Sequence, residues 1–154
     1  TPTLSSAASD VYKRQGKGHG NLIYEESGKV ITNRDSKLFL GAEVGSNNTA
    51  ELSAIAHALR WILLENSGKD VIIKGDSQYA MNITMGKWKV KANRQIADRV
   101  QQIWKEVLSI RTIGFEHIKA HRGHRWNERA DHLAFRAMKG DNALPLQFWK
   151  PGKR

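Results

Sequence analysis

From Asn48 to about Asn66, Leu52, Ile55, Ala56, Leu59, Ile62 and Leu63 recur with the helical period. The next apolar run, Val71-Ile72-Ile73, is too short for a helix and continuous enough for a strand buried on both faces. Helix followed directly by buried strand is the signature of a mixed α/β chain. Asn47 or Asn48 is the expected cap of that helix, and Gly68 lies just past its end. The strand stops at Lys74-Gly75-Asp76, which places Asp76 at its carboxyl tip.

The rest of the chain alternates in the same way, without internal repeats. Residues 20–26 and 37–44 read as strands joined through Ser27-Gly28 and the polar stretch Asn33 to Ser36, and they suggest an antiparallel pair. A short helix is expected from Ser77 to Thr84, broken by Gly86 ahead of the basic run Lys87-Trp88-Lys89-Val90-Lys91. Residues 93–109 resume helical spacing through Ile96, Val100, Ile103, Trp104 and Val107, so Trp104, like Trp61 before it, is expected in the core. Ile110 to Ile118 reads as a strand, His121 to Trp126 as a His/Arg/Gly loop, and Asn127 to Met138 as a last helix. Strands mixed with crossover helices imply a sheet covered on both faces.

A chain of 154 residues is about one domain, large enough to bury a core without staples. It has no cysteine, which excludes disulfides, thiolate metal sites and a cysteine nucleophile. No apolar run reaches the roughly 18 residues a membrane span needs, and no basic-then-apolar signal pattern opens the sequence, so a soluble, cytoplasmic protein is expected. Against 15 acidic residues stand 25 Lys and Arg, a net charge of +10 that favours phosphate-rich partners, nucleic acid first.

Within that positive field three acids stand out: Glu51, Asp76 and Asp131. In α/β sheets ligands collect beyond the carboxyl ends of the strands, where loops and helix starts meet. Asp76 ends a strand, and Glu51 and Asp131 lie near helix starts. Each has a structural reading when taken alone: Glu51 as a helix-start acid, Asp76 as a cap for the next helix, Asp131 as part of a solvated face. Taken together they call for a joint explanation.

Three ordered blocks supply one. Asn47-Asn48-Thr49-Ala50-Glu51-Leu52, then Lys74-Gly75-Asp76-Ser77-Gln78-Tyr79, then Ile118-Lys119-Ala120-His121-Arg122-Gly123-His124 running into Asn127-Glu128-Arg129-Ala130-Asp131, together resemble type 1 ribonuclease H. The resemblance spans roughly residues 18–140. It implies a ribonuclease H-like fold, a five-stranded mixed sheet with helices on both faces. It further implies an endoribonuclease that hydrolyses the RNA strand of RNA/DNA hybrids with two divalent ions, Mg2+ or Mn2+; a monomer is expected.

By that resemblance Glu51, Asp76 and Asp131 fall on three of the family's four metal-binding carboxylates, and His121 on its mobile loop histidine. Magnesium takes hard oxygen ligands, so carboxylates suit it. Two such ions about 4 Å apart can activate an attacking water and stabilise the leaving oxygen. His121 can shuttle a proton or help release product; the alternative is that His121 and His124 are ordinary surface-loop histidines. Asn47, Asn48, Gln78 and Asn127 match family positions that contact the hybrid, where amides suit sugar hydroxyls and minor-groove edges. Lys87, Trp88, Lys89 and Lys91 occupy the stretch where many relatives carry a longer basic protrusion for the hybrid; the alternative is a solvated basic turn whose Trp88 packs.

The departure from the family pattern lies at the N-terminus. Where the family's first strand delivers an aspartate followed closely by Gly and Ser, this chain has Leu4-Ser5-Ser6-Ala7-Ala8-Ser9-Asp10-Val11-Tyr12-Lys13-Arg14-Gln15. Asp10 is the only candidate for the fourth carboxylate, in a poor sequence for a central strand. Asp-Val-Tyr-Lys-Arg-Gln also resembles strings produced when a sequencing adapter is translated. Residues 1–15 are therefore read as an atypical, partly foreign segment, 16–140 as the ribonuclease H domain, and 141–154 as a basic and aromatic tail that either binds nucleic acid or packs back. If the first aspartate is missing, the expected activity gives way to a weak or inactive hybrid-binding domain.

Overall fold

The structure is a computed structural model that describes residues 3–7, 10–16, 21–65, 67–119 and 122–152, with side chains from residue 25 onward. Its elements in chain order are β1 (Thr3–Ala7), β2 (Asp10–Gly16), β3 (Asn21–Ser27), α1 (Asn47–Leu64), β4 (Val71–Gly75), α2 (Gln78–Thr84), α3 (Arg94–Leu108), β5 (Ile113–His117) and α4 (Arg125–Lys139). The strands form one sheet in the order β3-β2-β1-β4-β5. β1 runs antiparallel to β2, and β2 to β3, whereas β1 to β4 and β4 to β5 are parallel.

Three of the four helices start at a side-chain cap. Ser46, not Asn47 or Asn48, caps α1: its hydroxyl accepts from the Thr49 amide while Thr49 Oγ1 accepts from the Ser46 amide, a reciprocal box that satisfies two otherwise orphaned donors. Ser77 Oγ accepts from the Ala80 amide and starts α2 directly after Asp76, which frees that aspartate from the capping role open to it in the sequence. At α3 the preceding residue, Asn93, takes a left-handed conformation at φ 55° and donates to the Tyr79 hydroxyl instead of capping. α4 ends at Gly140, at φ 76°, as glycine without a Cβ allows.

One expected strand is absent. Residues 37–44 form an irregular crossing, and β3 pairs with β2 instead. The cause sits at Gly41, at φ +107°, where an added Cβ would stand 2.8 Å from the Ile96 backbone nitrogen at the start of α3. Such a close approach to a helix backbone breaks the extended geometry a strand requires. Leu40 and Ala42 are buried on either side of it, while Leu38 is exposed.

The core lies between α1, α3 and one face of the sheet. Leu52, Ile55, Leu59 and Ile62 of α1 meet Ile73 of β4 and Ile96, Val100, Ile103 and Val107 of α3, all fully or almost fully buried. Burying each side chain of this size contributes about 1.5–3 kcal/mol before entropy is counted. Trp104 stacks on Phe115 with ring centroids 5.0 Å apart, and Trp61 is partly buried against the same cluster.

Consecutive residues of a strand face opposite sides. Glu26 of β3 lies 3.5 Å from His57 of α1, and its neighbour Glu25 forms a 2.7 Å ion pair with Arg129 of α4. α1 and α4 therefore cover opposite faces. α4 packs on β1, β2 and β3. Among the described residues no helix is long and apolar enough to cross a membrane.

Candidate active site

The parallel pairing of β4 with β5 brings their carboxyl tips side by side, and the Ile118 amide donates to the Gly75 carbonyl at 2.8 Å to lock them there. Asp76 follows at once, half-buried between this junction and the start of α2. The His117 ring nitrogen Nε2 stands 3.3 Å from the Asp76 carbonyl oxygen. The carboxylate meets α4: Asn127 Nδ2 donates to Asp76 Oδ2 at 3.3 Å.

Asn127 is held for that purpose. His124 Nδ1 accepts from its backbone amide at 3.1 Å, which makes His124 the N-cap of α4 and sets the first turn. The Asn127 side chain is buried, and its Oδ1 has no hydrogen-bond partner among the described residues. The helix N-terminus adds a partial positive charge next to the Asp76 carboxylate.

Four residues further along α4, Asp131 is half-buried and lines a cleft of about 600 Å³ with Asn47 and Ala50 of α1, Lys29 and Val30. Glu51 follows Ala50 in α1 and is also half-buried. α4 thus links the tip of β4 to the first turns of α1: one of its faces carries both the asparagine that touches Asp76 and the aspartate that shares a cleft with Asn47. All three acids are hard oxygen donors of the type magnesium prefers. Among the described residues, no three His, Asp or Glu side chains gather closely enough to form a metal centre.

Asp10 supplies its backbone as the first residue of β2, in register with Ala7 of β1 and Ser27 of β3. It does not lie on β1, the strand next to β4; there Ser6 pairs with Gly75, the residue before Asp76. The side chain of Asp10 and the whole of His121 lie outside the described residues. Asn47 and Asn48, the first residues of α1, and Gln78, the first of α2, are exposed. Lys87, Trp88 and Lys89 are exposed in the turn between α2 and α3, with Trp88 46% accessible rather than packed.

Sequence reasoning missed what surrounds α4 on its other side. Arg129 is 2% exposed and grips both carboxylate oxygens of Glu25, at 2.7 and 2.9 Å. Of the two readings of the tail, Trp149 follows the one in which it packs back, buried against α4, while Phe148 remains exposed. A single arginine in a helix and a single tryptophan in a tail carry no periodic signal that would pair them.

The family model described as RNase H matches residues 7–139. Ribonuclease H of Syntrophomonas wolfei subsp. wolfei is 32% identical over 131 residues, covering 77% of this chain and 82% of that protein. Ribonuclease HI of Helicobacter pylori is 32% identical over 119 residues, covering 73% and 75%. Among solved structures, RNase H1 of the halophilic archaeon Halobacterium salinarum matches the fold with a TM-score of 0.60 at 21% identity, covering 90% of this chain and 98% of that one. LC11-RNase H1, in complex with an RNA/DNA hybrid, matches with a TM-score of 0.60 at 17% identity, covering 91% and 98%. The fold is ribonuclease H-like, and with the family pattern running from the end of β1 to the end of α4, the chain belongs to the ribonuclease H family.

Proposed function

We propose that this protein hydrolyses the RNA strand of RNA/DNA hybrids as a metal-dependent endoribonuclease, with Glu51, Asp76 and Asp131 as carboxylate ligands. The observation that carries the reading is the contact of Asn127 with Asp76, on the helix that also presents Asp131. It brings the carboxyl tip of β4 against a helix N-terminus, where the phosphates of a polyanion are favoured. A relative of this fold is known in complex with an RNA/DNA hybrid, and the +10 charge of the chain suits such a duplex.

In this reading Glu51, Asp76 and Asp131 would hold divalent ions, Mg2+ or Mn2+, which when bound would supply Lewis-acid chemistry for water activation and leaving-group stabilisation. The chain's own residues do the rest. Asn127 orients the Asp76 carboxylate by its hydrogen bond. Asn47, Asn48 and Gln78 offer amides at helix starts to sugar hydroxyls, by which RNA is told from DNA. Lys87, Trp88 and Lys89 hold the hybrid's backbone away from the cut, and His121 carries a proton. The protein acts as a monomer in the cytoplasm.

A second reading rests on one observation: the backbone of Asp10 begins β2 rather than standing on β1 beside Asp76. If no fourth carboxylate reaches the other three, the protein binds hybrids and cleaves them weakly or not at all.

Labelled hybrid incubated with Mg2+, with EDTA, and with Asp76→Asn separates these readings. Cleavage that needs the metal and disappears in Asp76→Asn supports the nuclease. Cleavage that survives EDTA or the substitution overturns the metal-dependent mechanism, and hybrid binding without cleavage at any Mg2+ or Mn2+ level selects the binding module.

A further inference from the structure

Arg125, Arg129 and His132 follow one another at i, i+4 and i+7, so they share a stripe of α4. Asn127 and Asp131, also four apart, lie on a different side, because two residues advance a helix by more than half a turn. Arg129 and His132 are buried, and Arg125 is exposed. The Trp149 ring lies under both guanidinium groups, 5.5 Å from Arg125 and 5.4 Å from Arg129, and its centroid is 6.1 Å from that of His132. Arg129 Nη1 donates to the Leu144 carbonyl at 2.8 Å, and the Leu144 amide donates to His132 Nε2 at 3.0 Å. Trp149 is 2% exposed.

We infer that the C-terminal segment from Leu144 to Trp149 is a positioning strap for the acidic site, with Trp149 as the positioning residue. The inference rests on the nuclease reading given above. Arg129 is tied at one end to Glu25 of β3 and at the other to Leu144 and the Trp149 ring, so the rotation of α4 about its own axis is fixed from the side away from the acids. A helix that turns by a few tens of degrees carries Asn127 and Asp131 away together. The Asn127–Asp76 bond, at 3.3 Å, is already near the long end of the useful range, so a small rotation breaks it.

Packing on β1, β2 and β3 and the Glu25 pair hold α4 to the sheet, and Leu144 and Trp149 add ties from the opposite side at two further heights, Arg125 and His132. The Arg129 contact is made under cover, where such contacts are strongest, whereas Arg125 is exposed and covers the ring from the solvent side.

The test compares Trp149→Ala, Trp149→Phe and a remote core variant, Val107→Ala in α3, chosen to lose similar thermal stability. Two properties are read without catalysis in the full chain: the Asn127 side-chain amide resonance in metal-free protein, and Mg2+ affinity by calorimetry. Trp149→Ala is expected to shift the Asn127 resonance and weaken Mg2+ binding about tenfold or more, the scale seen when groups that orient metal ligands are lost. Hydrolysis of the hybrid is expected to fall in kcat with KM little changed. Trp149→Phe restores the resonance and most of the affinity; Val107→Ala changes neither. If Trp149→Ala leaves the Asn127 resonance where it is, or behaves like Val107→Ala in Mg2+ binding, the strap is overturned. If the unaltered protein cleaves no hybrid while Trp149→Ala still shifts Asn127, the nuclease reading fails and the positioning role stands.

Discussion

The side-chain amide of Asn127 is hydrogen-bonded to the Asp76 carboxylate across 51 residues of sequence, and it ties the tip of β4 to the helix that presents Asp131. Removing that amide leaves Asp76 in place but free to rotate. Asn127→Ala is expected to lower metal-dependent hydrolysis of the hybrid about 10–100-fold, the usual cost of losing a residue that orients a metal ligand. Rates measured against Mg2+ concentration check it, and an unchanged half-saturation point with an unchanged rate would count against the link.

Arg111 ties the far end of the fold. Its guanidinium pairs with Glu65 at 3.0 Å and donates to the carbonyls of Ile62, Glu65 and Lys69, so it closes the C-terminal end of α1. Arg111→Ala leaves Glu65 with its Ser67 bonds but strips these carbonyls of a donor. A loss of about 3 kcal/mol is expected by urea denaturation, with catalytic constants unchanged in the folded fraction.

Gly41→Ala should be costly despite its small size. The φ of +107° and the 2.8 Å approach to Ile96 N both oppose a Cβ. A destabilisation of about 1–3 kcal/mol is expected from the backbone strain alone, measurable as a lower melting temperature; Gly28→Ala, where a Cβ meets nothing within 4 Å, is the control.

His57 makes stability depend on pH. Desolvation between α1 and the sheet lowers its pKa below 6.5, outweighing the nearby Glu26 charge that raises it, and Arg60 lowers it further. The folded protein therefore holds the proton less tightly than the unfolded chain. Between the lowered folded value and 6.5 the unfolded state binds more protons, so stability rises with pH through that window and levels off above it. His57→Gln should flatten that part of the unfolding profile.

Lys87 and Lys89 should be read through salt. If both neutralise phosphates, the double substitution to Ala reduces the slope of log affinity for hybrid against log salt by about 2, since each phosphate contact contributes about 0.9. A parallel loss of affinity at every salt concentration would remove these lysines from the contact surface.

The helices and β4 were legible because their signals are local. Leu52 to Leu63 repeats with one period, and Val71 to Ile73 is bounded by polar residues on both sides. The acids were found from three ordered motifs, not from periodicity, and the position of Asp76 at the β4 tip follows from where the apolar run stops. The segment 37–44 misled because Leu38, Leu40 and Ala42 alternate as a strand does, while the decisive contact at Gly41 is with α3, more than fifty residues away. The Ser46 cap was hidden by two asparagines equally suited to the role. The strap from Leu144 to Trp149 depends on contacts between side chains of unrelated local pattern, which only the folded arrangement shows.

β5 forms one outer margin of the sheet, and its outward row of amides and carbonyls is where a second polypeptide would add. It is five residues long, includes Gly114, and ends in the exposed Glu116 and His117. A margin so short and so polar is a poor template for strand addition, so at high concentration this protein is protected from edge-to-edge aggregation at that border.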